Sequence, residues 1–125
     1  MLKYKVIAMW IALLPIQAAS QVLYYSTTTS VGMVNTEDCE MTEICRWFDN
    51  SVYLNDLAFH PDGRLFYIHP HRSLYEIDLT DCSLNWITQL GTGGTYTGLY
   101  INHEGLIFAA GRELITYNLE TGEMY

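Results

Sequence analysis

The chain has 125 residues, half of them apolar, with 14 acidic residues against six lysines and arginines and a net charge of −8. That length and apolar share suit a single globular unit with a sizeable core. The negative balance repels phosphate backbones, which argues against a nucleic-acid partner.

Residues 1–20 read as an export signal. "MLKYK" carries two lysines, "VIAMWIALL" is a short apolar run, and Pro15 leads into "IQAAS", where Ala18 and Ser20 fit the positions before a cleavage site. The run is far shorter than the roughly 20 residues a membrane-spanning helix needs. No cysteine follows the cut, so a lipid anchor is not indicated. Cleavage would remove both lysines and leave residues 21–125 with four arginines against all 14 acids, a net charge of −10. The expected location is outside the cell or on its surface, or in the periplasm.

The remainder repeats itself. "QVLYYSTTTSVGMVNTEDCEMTEI" from Gln21 lies without a gap over "RLFYIHPHRSLYEIDLTDCSLNWI" from Arg64, an offset of 43 residues. Tyr24 then meets Tyr67, Ser30 meets Ser73, Val34 meets Ile77, Asn35 meets Asp78, Cys39 meets Cys82 and Ile44 meets Ile87. A third copy, "RELITYNLETGEMY" from Arg112, follows at an offset of 40 and places Leu114 on Leu74, Asn118 on Asp78 and Gly122 on Cys82. The hairpin "DLAFHPDGRLFYI" is likewise echoed by "GLYINHEGLIFAA". A period of 40 to 43 residues built from short strands is what a four-stranded propeller blade requires.

In chain order, with strands lettered a to d outward from the axis, the expected elements are b, c and d in 21–50, a to d in 51–94, and a to c in 95–125. The chain is expected to stop at the last c-to-d turn. Nothing reads as a helix. In "LAFHPDGRLFYI" apolar residues occupy both sides of the alternation, as inner strands covered on both faces require. Asp62-Gly63 is expected to supply the positive backbone angles of the tight turn between them. "LYEIDL" alternates, with Tyr75, Ile77 and Leu79 on one face, as suits a half-covered strand nearer the rim. Asn35, Asp78 and Asn118 open the following turns, where a short polar side chain bonds its own backbone two residues on. The fold class is therefore all-β, antiparallel four-stranded propeller blades, about two and a half of them in an incomplete ring. A ring needs four or more blades. The chain is expected to be a fragment of a longer protein, with self-association as another way to complete the ring.

"NDLAFHPDGRLFYI…SLYEIDLTDC" and "TGLYINHEGLIFAAGRELITYNLETGE" resemble the NHL/YVTN-like and quinoprotein-like β-propeller repeats of secreted or cell-surface bacterial proteins. That resemblance implies the propeller fold and leaves function open, because propellers host binders, lyases, lactonases and scaffolds. "NDLAFHPDG" is also similar to a phrase of calcium-dependent gluconolactonase-like propellers, which implies a metal role for Asn55, with Asp56 beside it. Hard cations want several oxygen ligands, and no matching partners stand out in this chain.

Other candidates are plainer. His69 and His71 flank Pro70 in a b-to-c turn and could contribute to a transition-metal site, which needs further ligands. His60 and His103 border hairpin turns and are expected to be exposed. "GTGGTYTG" lacks the Gly-Lys-Ser/Thr ending of a phosphate loop and reads as a connector between blades. Trp86, Tyr96 and Tyr100 are the candidate stacking surfaces for a protein or glycan partner. Of the three cysteines, Cys39 and Cys82 fall on neighbouring blades about 10 Å or more apart, and Cys39 and Cys45 about 20 Å apart along one strand. Neither pair meets the roughly 7 Å limit for a disulfide, so no pairing is assigned and at least one free thiol is expected. Two functions stand: a non-catalytic binding or scaffold segment without a cofactor, or a calcium-dependent lactonase-like enzyme.

Overall fold

The computed structural model describes residues 22–49 and 51–125, and the export-signal expectation lies outside them. The described residues form ten strands and no helix: β1 (Val22–Ser26), β2 (Ser30–Asn35), β3 (Met41–Arg46), β4 (Asp56–Phe59), β5 (Leu65–Ile68), β6 (Ser73–Ile77), β7 (Leu84–Gln89), β8 (Tyr96–Ile101), β9 (Leu106–Gly111) and β10 (Leu114–Asn118). They make three sheets in the orders β1-β2-β3, β4-β5-β6-β7 and β8-β9-β10, each a meander of antiparallel neighbours. These are successive blades of an unclosed β-propeller, as the sequence implies. The chain runs slightly past the expected stop, because Thr116 and Tyr125 exchange both backbone hydrogen bonds and begin a fourth strand beside β10.

Two cores lie between three sheets, and the middle sheet feeds both. Leu65, Tyr67 and Ile77 pack with Val31, Val52 and Leu54 against the first sheet. Phe66, Ile68 and Leu74 face the other way and pack with Leu99, Ile101, Ile107, Ala109 and Tyr117 of the third. Strand β5 is buried at all four positions for this reason. Its two-residue side-chain period serves a different core at each step. On the first-sheet side, Tyr67 stacks on Tyr75 with centroids 5.0 Å apart. Burial holds the Tyr67 phenol above its ordinary range.

The turns from third to fourth strand repeat faithfully. Asn35, Asp78 and Asn118 each accept a hydrogen bond at Oδ1 from the backbone N–H two residues on, at 2.9, 2.8 and 2.9 Å. Each also accepts, through its carbonyl, the N–H of Cys39, Cys82 or Gly122. Those three residues hold φ of 60, 62 and 72°. Left-handed backbone suits glycine and is uncommon for a cysteine, so the turn imposes it. Even the irregularities recur, with bulges at Val31/Gly32 in the first sheet and Leu74/Tyr75 in the second.

Several expectations need correction. At the β4–β5 hairpin only Gly63 takes a positive φ, of 93°, and Asp62 does not. His60 accepts the Gly63 N–H at 2.9 Å, so the turn is a four-residue reversal closed by one left-handed glycine. His60 is not an exposed turn residue. Its side chain is 14% exposed and lies edge-on to Phe66. A Cβ on Gly105 of the third sheet would collide with its imidazole. His103, by contrast, is exposed as expected.

The gapless overlay also slips by one residue. Ser26 faces Val31 across the first β1–β2 turn, whereas Ile68 faces Leu74 across the second. The β5–β6 turn therefore holds one more residue, and Arg72 takes φ of 71° within it. Register makes Tyr25, and not Tyr24, the equivalent of Tyr67, since Tyr25 pairs with Gly32 as Tyr67 pairs with Tyr75.

Cys45 and Cys82 form a disulfide with Cα atoms 5.5 Å apart, and Cys39 is free and exposed. The expected free thiol is there, but the pair was not foreseen. No pair is convincing from repeat spacing alone, because spacing places Cys45 on its strand but not against the turn of the next sheet. The geometry follows from blade packing: the second sheet's β6–β7 turn lies on the first sheet's outer strand β3. Trp47 anchors that contact by donating its indole N–H to the Cys82 carbonyl at 2.9 Å.

Candidate functional site

The two ends of the sheets differ in content. One end carries the β4–β5 and β8–β9 hairpins and the repeating polar turns. The other carries the β1–β2, β5–β6 and β9–β10 turns together with the linkers that pass from sheet to sheet. At this second end Tyr53, Asn55, His69, Pro70, His71, Thr95 and Thr97 line an open cleft of about 450 Å³ at the junction of the second and third sheets. Such a size falls within the range of small-ligand sites.

Three segments build it. The linker before β4 is pinned by Leu54 N–H to the Thr28 carbonyl at 2.9 Å and Asn55 N–H to the Ile68 carbonyl at 3.1 Å. These bonds, with Val52 and Leu54 in the core between them, leave Tyr53 turned outward and 46% exposed. The β5–β6 turn closes through His69 N–H to the Ser73 carbonyl and Arg72 N–H to the His69 carbonyl, both at 2.9 Å. Thr95, at the end of the linker before β8, and Thr97, within β8, complete the lining.

The two histidines have different states. His69 accepts the His71 backbone N–H at Nδ1, 3.1 Å away, so its ring proton sits on Nε2. Burial, then the neighbouring His71 ring, hold its pKa below the usual imidazole value, although a hydrogen bond with the Ser51 backbone opposes them. With Nδ1 occupied by a backbone donor, His69 is a wall of the cleft and a poor half of a metal pair. His71 is exposed, with its ring centroid 5.1 Å from that of His69.

Asn55 and Asp56 sit beside one another at the entry to β4, as the sequence places them, and both side chains tie sheets together. Asn55 donates Nδ2 to the Tyr96 carbonyl at 2.6 Å. Asp56 accepts the Leu57 N–H at 2.9 Å and, from the third sheet, the Leu99 N–H at 2.8 Å. A carboxylate accepting two backbone donors joins neighbouring blades at their inner edge. Among the described residues no group of three or more histidines, cysteines, aspartates or glutamates comes together in metal-binding geometry.

The three proposed stacking residues do not meet. Tyr96 is fully buried and offers no free ring face. Its hydroxyl donates to Glu113 Oε1 at 2.7 Å, and burial with that carboxylate pushes its pKa up to about 12. Trp86 is exposed on the outer strand β7. Tyr100 is exposed on the open face of the third sheet, against Phe108. The cleft residue that sequence reasoning missed is Tyr53. Its signal was available in "SVYLN", where Val52 and Leu54 face the core and the residue between them must face out.

Among the described residues no helix is long and apolar enough to cross a membrane. No family model matches the chain, and no curated protein matches it. Solved structures do. The virginiamycin B lyase of Staphylococcus aureus is similar with a TM-score of 0.60 at 11% identity, over 83% of this chain and 36% of the lyase. An oligogalacturonate lyase solved in complex with manganese is similar with a TM-score of 0.57 at 18% identity, over 79% of this chain and 29% of that one. The tricorn protease gives a TM-score of 0.50 at 11% identity over 83% of this chain and 11% of the protease. Identities this low show the propeller-type fold alone. The chain spans about a third of the first lyase's length.

Proposed function

We propose that this chain is a non-catalytic binding segment of an exported β-propeller protein of NHL/YVTN-like or quinoprotein-like kind, part of a longer chain, and that the cleft at Tyr53 and His71 receives a glycan. The observation that carries this reading is the position of the cleft. It lies at the end where the three copies stop matching, so its side chains answer to something other than the repeat. A half-exposed tyrosine supplies a stacking face for a sugar ring. His71 and the Thr95 and Thr97 hydroxyls supply exposed hydrogen-bonding groups around it. An excess of acids elsewhere leaves the cleft itself without a carboxylate in its lining. Sugars need that combination of an apolar plate and neutral polar groups.

Binding of arrayed oligosaccharides to the full protein tests the reading. A subset should bind, the Tyr53→Ala/His71→Ala pair should weaken it at least ten-fold, and Trp86→Ala should leave it intact. Failure of every oligosaccharide to bind, or equal loss in the Trp86 variant, would overturn it. The runner-up, a calcium-dependent lactonase-like enzyme, would place a metal near Asn55 and Asp56, whose side chains here join the second sheet to the third. Under that alternative calcium raises the melting temperature of the full protein and Asn55→Ala erases the rise.

A further inference from the structure

The open face of the first sheet copies a buried one. Pairing register aligns Leu23 with Leu65, Tyr25 with Tyr67, Val34 with Ile77, and Met41 with Leu84. In the second sheet this face packs on the first, and Leu65, Tyr67 and Ile77 are at most 3% exposed. In the first sheet no other sheet among the described residues covers the same face: Leu23 and Met41 are 56 and 62% exposed, while Tyr25 and Val34 are half-buried within their own sheet. A blade-packing surface is thus carried forward one position beyond the last blade that uses it.

A second observation concerns what lies across that surface. Cys82 sits in the second sheet's polar turn and reaches back to Cys45 on the outer strand of the sheet before it. Cys39 occupies the same place in the first sheet's turn, with φ of 60° against 62° and the same backbone hydrogen bond, N–H to the carbonyl of Asn35 or Asp78. It is exposed and free. Cys39 therefore stands toward the open face as Cys82 stands toward Cys45.

We infer that the open face of the first sheet is covered by a further blade of the same polypeptide, and that this blade's outer strand carries a cysteine that forms a disulfide with Cys39. The inference rests on the proposal that the chain is part of a longer one. Its chemistry is that of the neighbouring junction: two S–H bonds break, the two protons go to solvent, the two electrons go to a disulfide or quinone oxidant of an exporting compartment, and one S–S bond forms. The partner must come from outside residues 22–125, because the other two cysteines are already joined.

The test uses the native full-length protein, isolated without reductant, with free thiols alkylated before digestion, and with its intact mass measured in parallel. The expected result is a mass well above that of residues 21–125 and a Cys39 peptide joined to a cysteine peptide from elsewhere in the same chain. A larger mass with Cys39 alkylated, or with Cys39 joined across two chains, would overturn the inference and leave the longer-chain proposal standing. A mass matching residues 21–125 would overturn the longer-chain proposal itself. In the full protein Cys39→Ser should also lower the melting temperature only when reductant is absent, and an equal drop with reductant would count against the bond.

Discussion

The turns at the two ends of the sheets obey different rules. At one end, Asn35, Asp78 and Asn118 build the same turn three times, down to the left-handed residue that closes it. At the other, the equivalent crossings join Ser26 to Val31, Ile68 to Leu74 and Ala110 to Leu114, so no two have the same length. A turn that recurs unchanged is fixed by what every blade must do, namely reverse the chain and lie on its neighbour. A turn that changes each time is free to carry a site, and the cleft is found there.

The largest effect expected from breaking this pattern is at the disulfide. Reduction, or Cys45→Ser, removes a link across 37 residues between the first sheet and the second sheet's polar turn. Loss of about 4 kcal/mol is expected on the chain-entropy account, read as a lower urea midpoint for the reduced than for the oxidised protein. An unchanged midpoint would mean that the turn is held by packing and the Trp47 hydrogen bond alone.

The equivalence of the polar turns gives the next test. Asn35→Ala and Asn118→Ala should each cost about 1 kcal/mol, the value of one net hydrogen bond. Urea unfolding of both variants checks it, and widely different losses would show that the repeated geometry hides unequal roles.

Asp78 sharpens the same comparison through pH. Its carboxyl is held below the usual carboxylate range by hydrogen bonds from Thr80, first the side chain and then the backbone. A depressed folded-state pKa stabilises the fold above the unfolded value of about 3.9, and that contribution disappears as pH falls through the folded value. Asp78→Asn supplies the group that the other two turns already use. It should keep the turn at neutral pH and flatten the acid side of a melting-temperature profile. Asp62, lowered chiefly by its Arg64 hydrogen bond, acts in the same direction in its own hairpin, so some acid sensitivity will remain.

The smallest stability effects belong to the variable end. Tyr53→Ala and His71→Ala remove exposed side chains and should change stability by no more than about 0.5 kcal/mol in thermal or urea unfolding. A large loss would make the cleft a structural element and weaken the case for a ligand there.

Much of the fold was legible because a propeller states its rules repeatedly. The offset of 43 residues, the polar turn openers and the doubly apolar "LFYI" each follow from local chemistry that every blade must satisfy. The hidden parts depend on lengths that differ by one. A single additional residue in the His69–Arg72 turn shifts strand equivalence, and the gapless overlay passed over it because tyrosine stands at both Tyr24 and Tyr25. The site was legible in part: "HPH" and Asn55 were singled out, but their uses were not. His69 Nδ1 takes a backbone donor, and Asn55 spans to the next sheet.

By itself the sequence determined the all-β class, its antiparallel repeating sheets and the residues that open each polar turn, since these rest on alternation and on groups two residues apart. Only tertiary structure decided that Cys45 meets Cys82, that Tyr96 is buried while Tyr53 is open, and that Asp56 clasps the third sheet. Each of these depends on how one sheet is set against the next. The pairing partner lies 37 to 43 residues away, where side-chain periodicity gives a face but no distance.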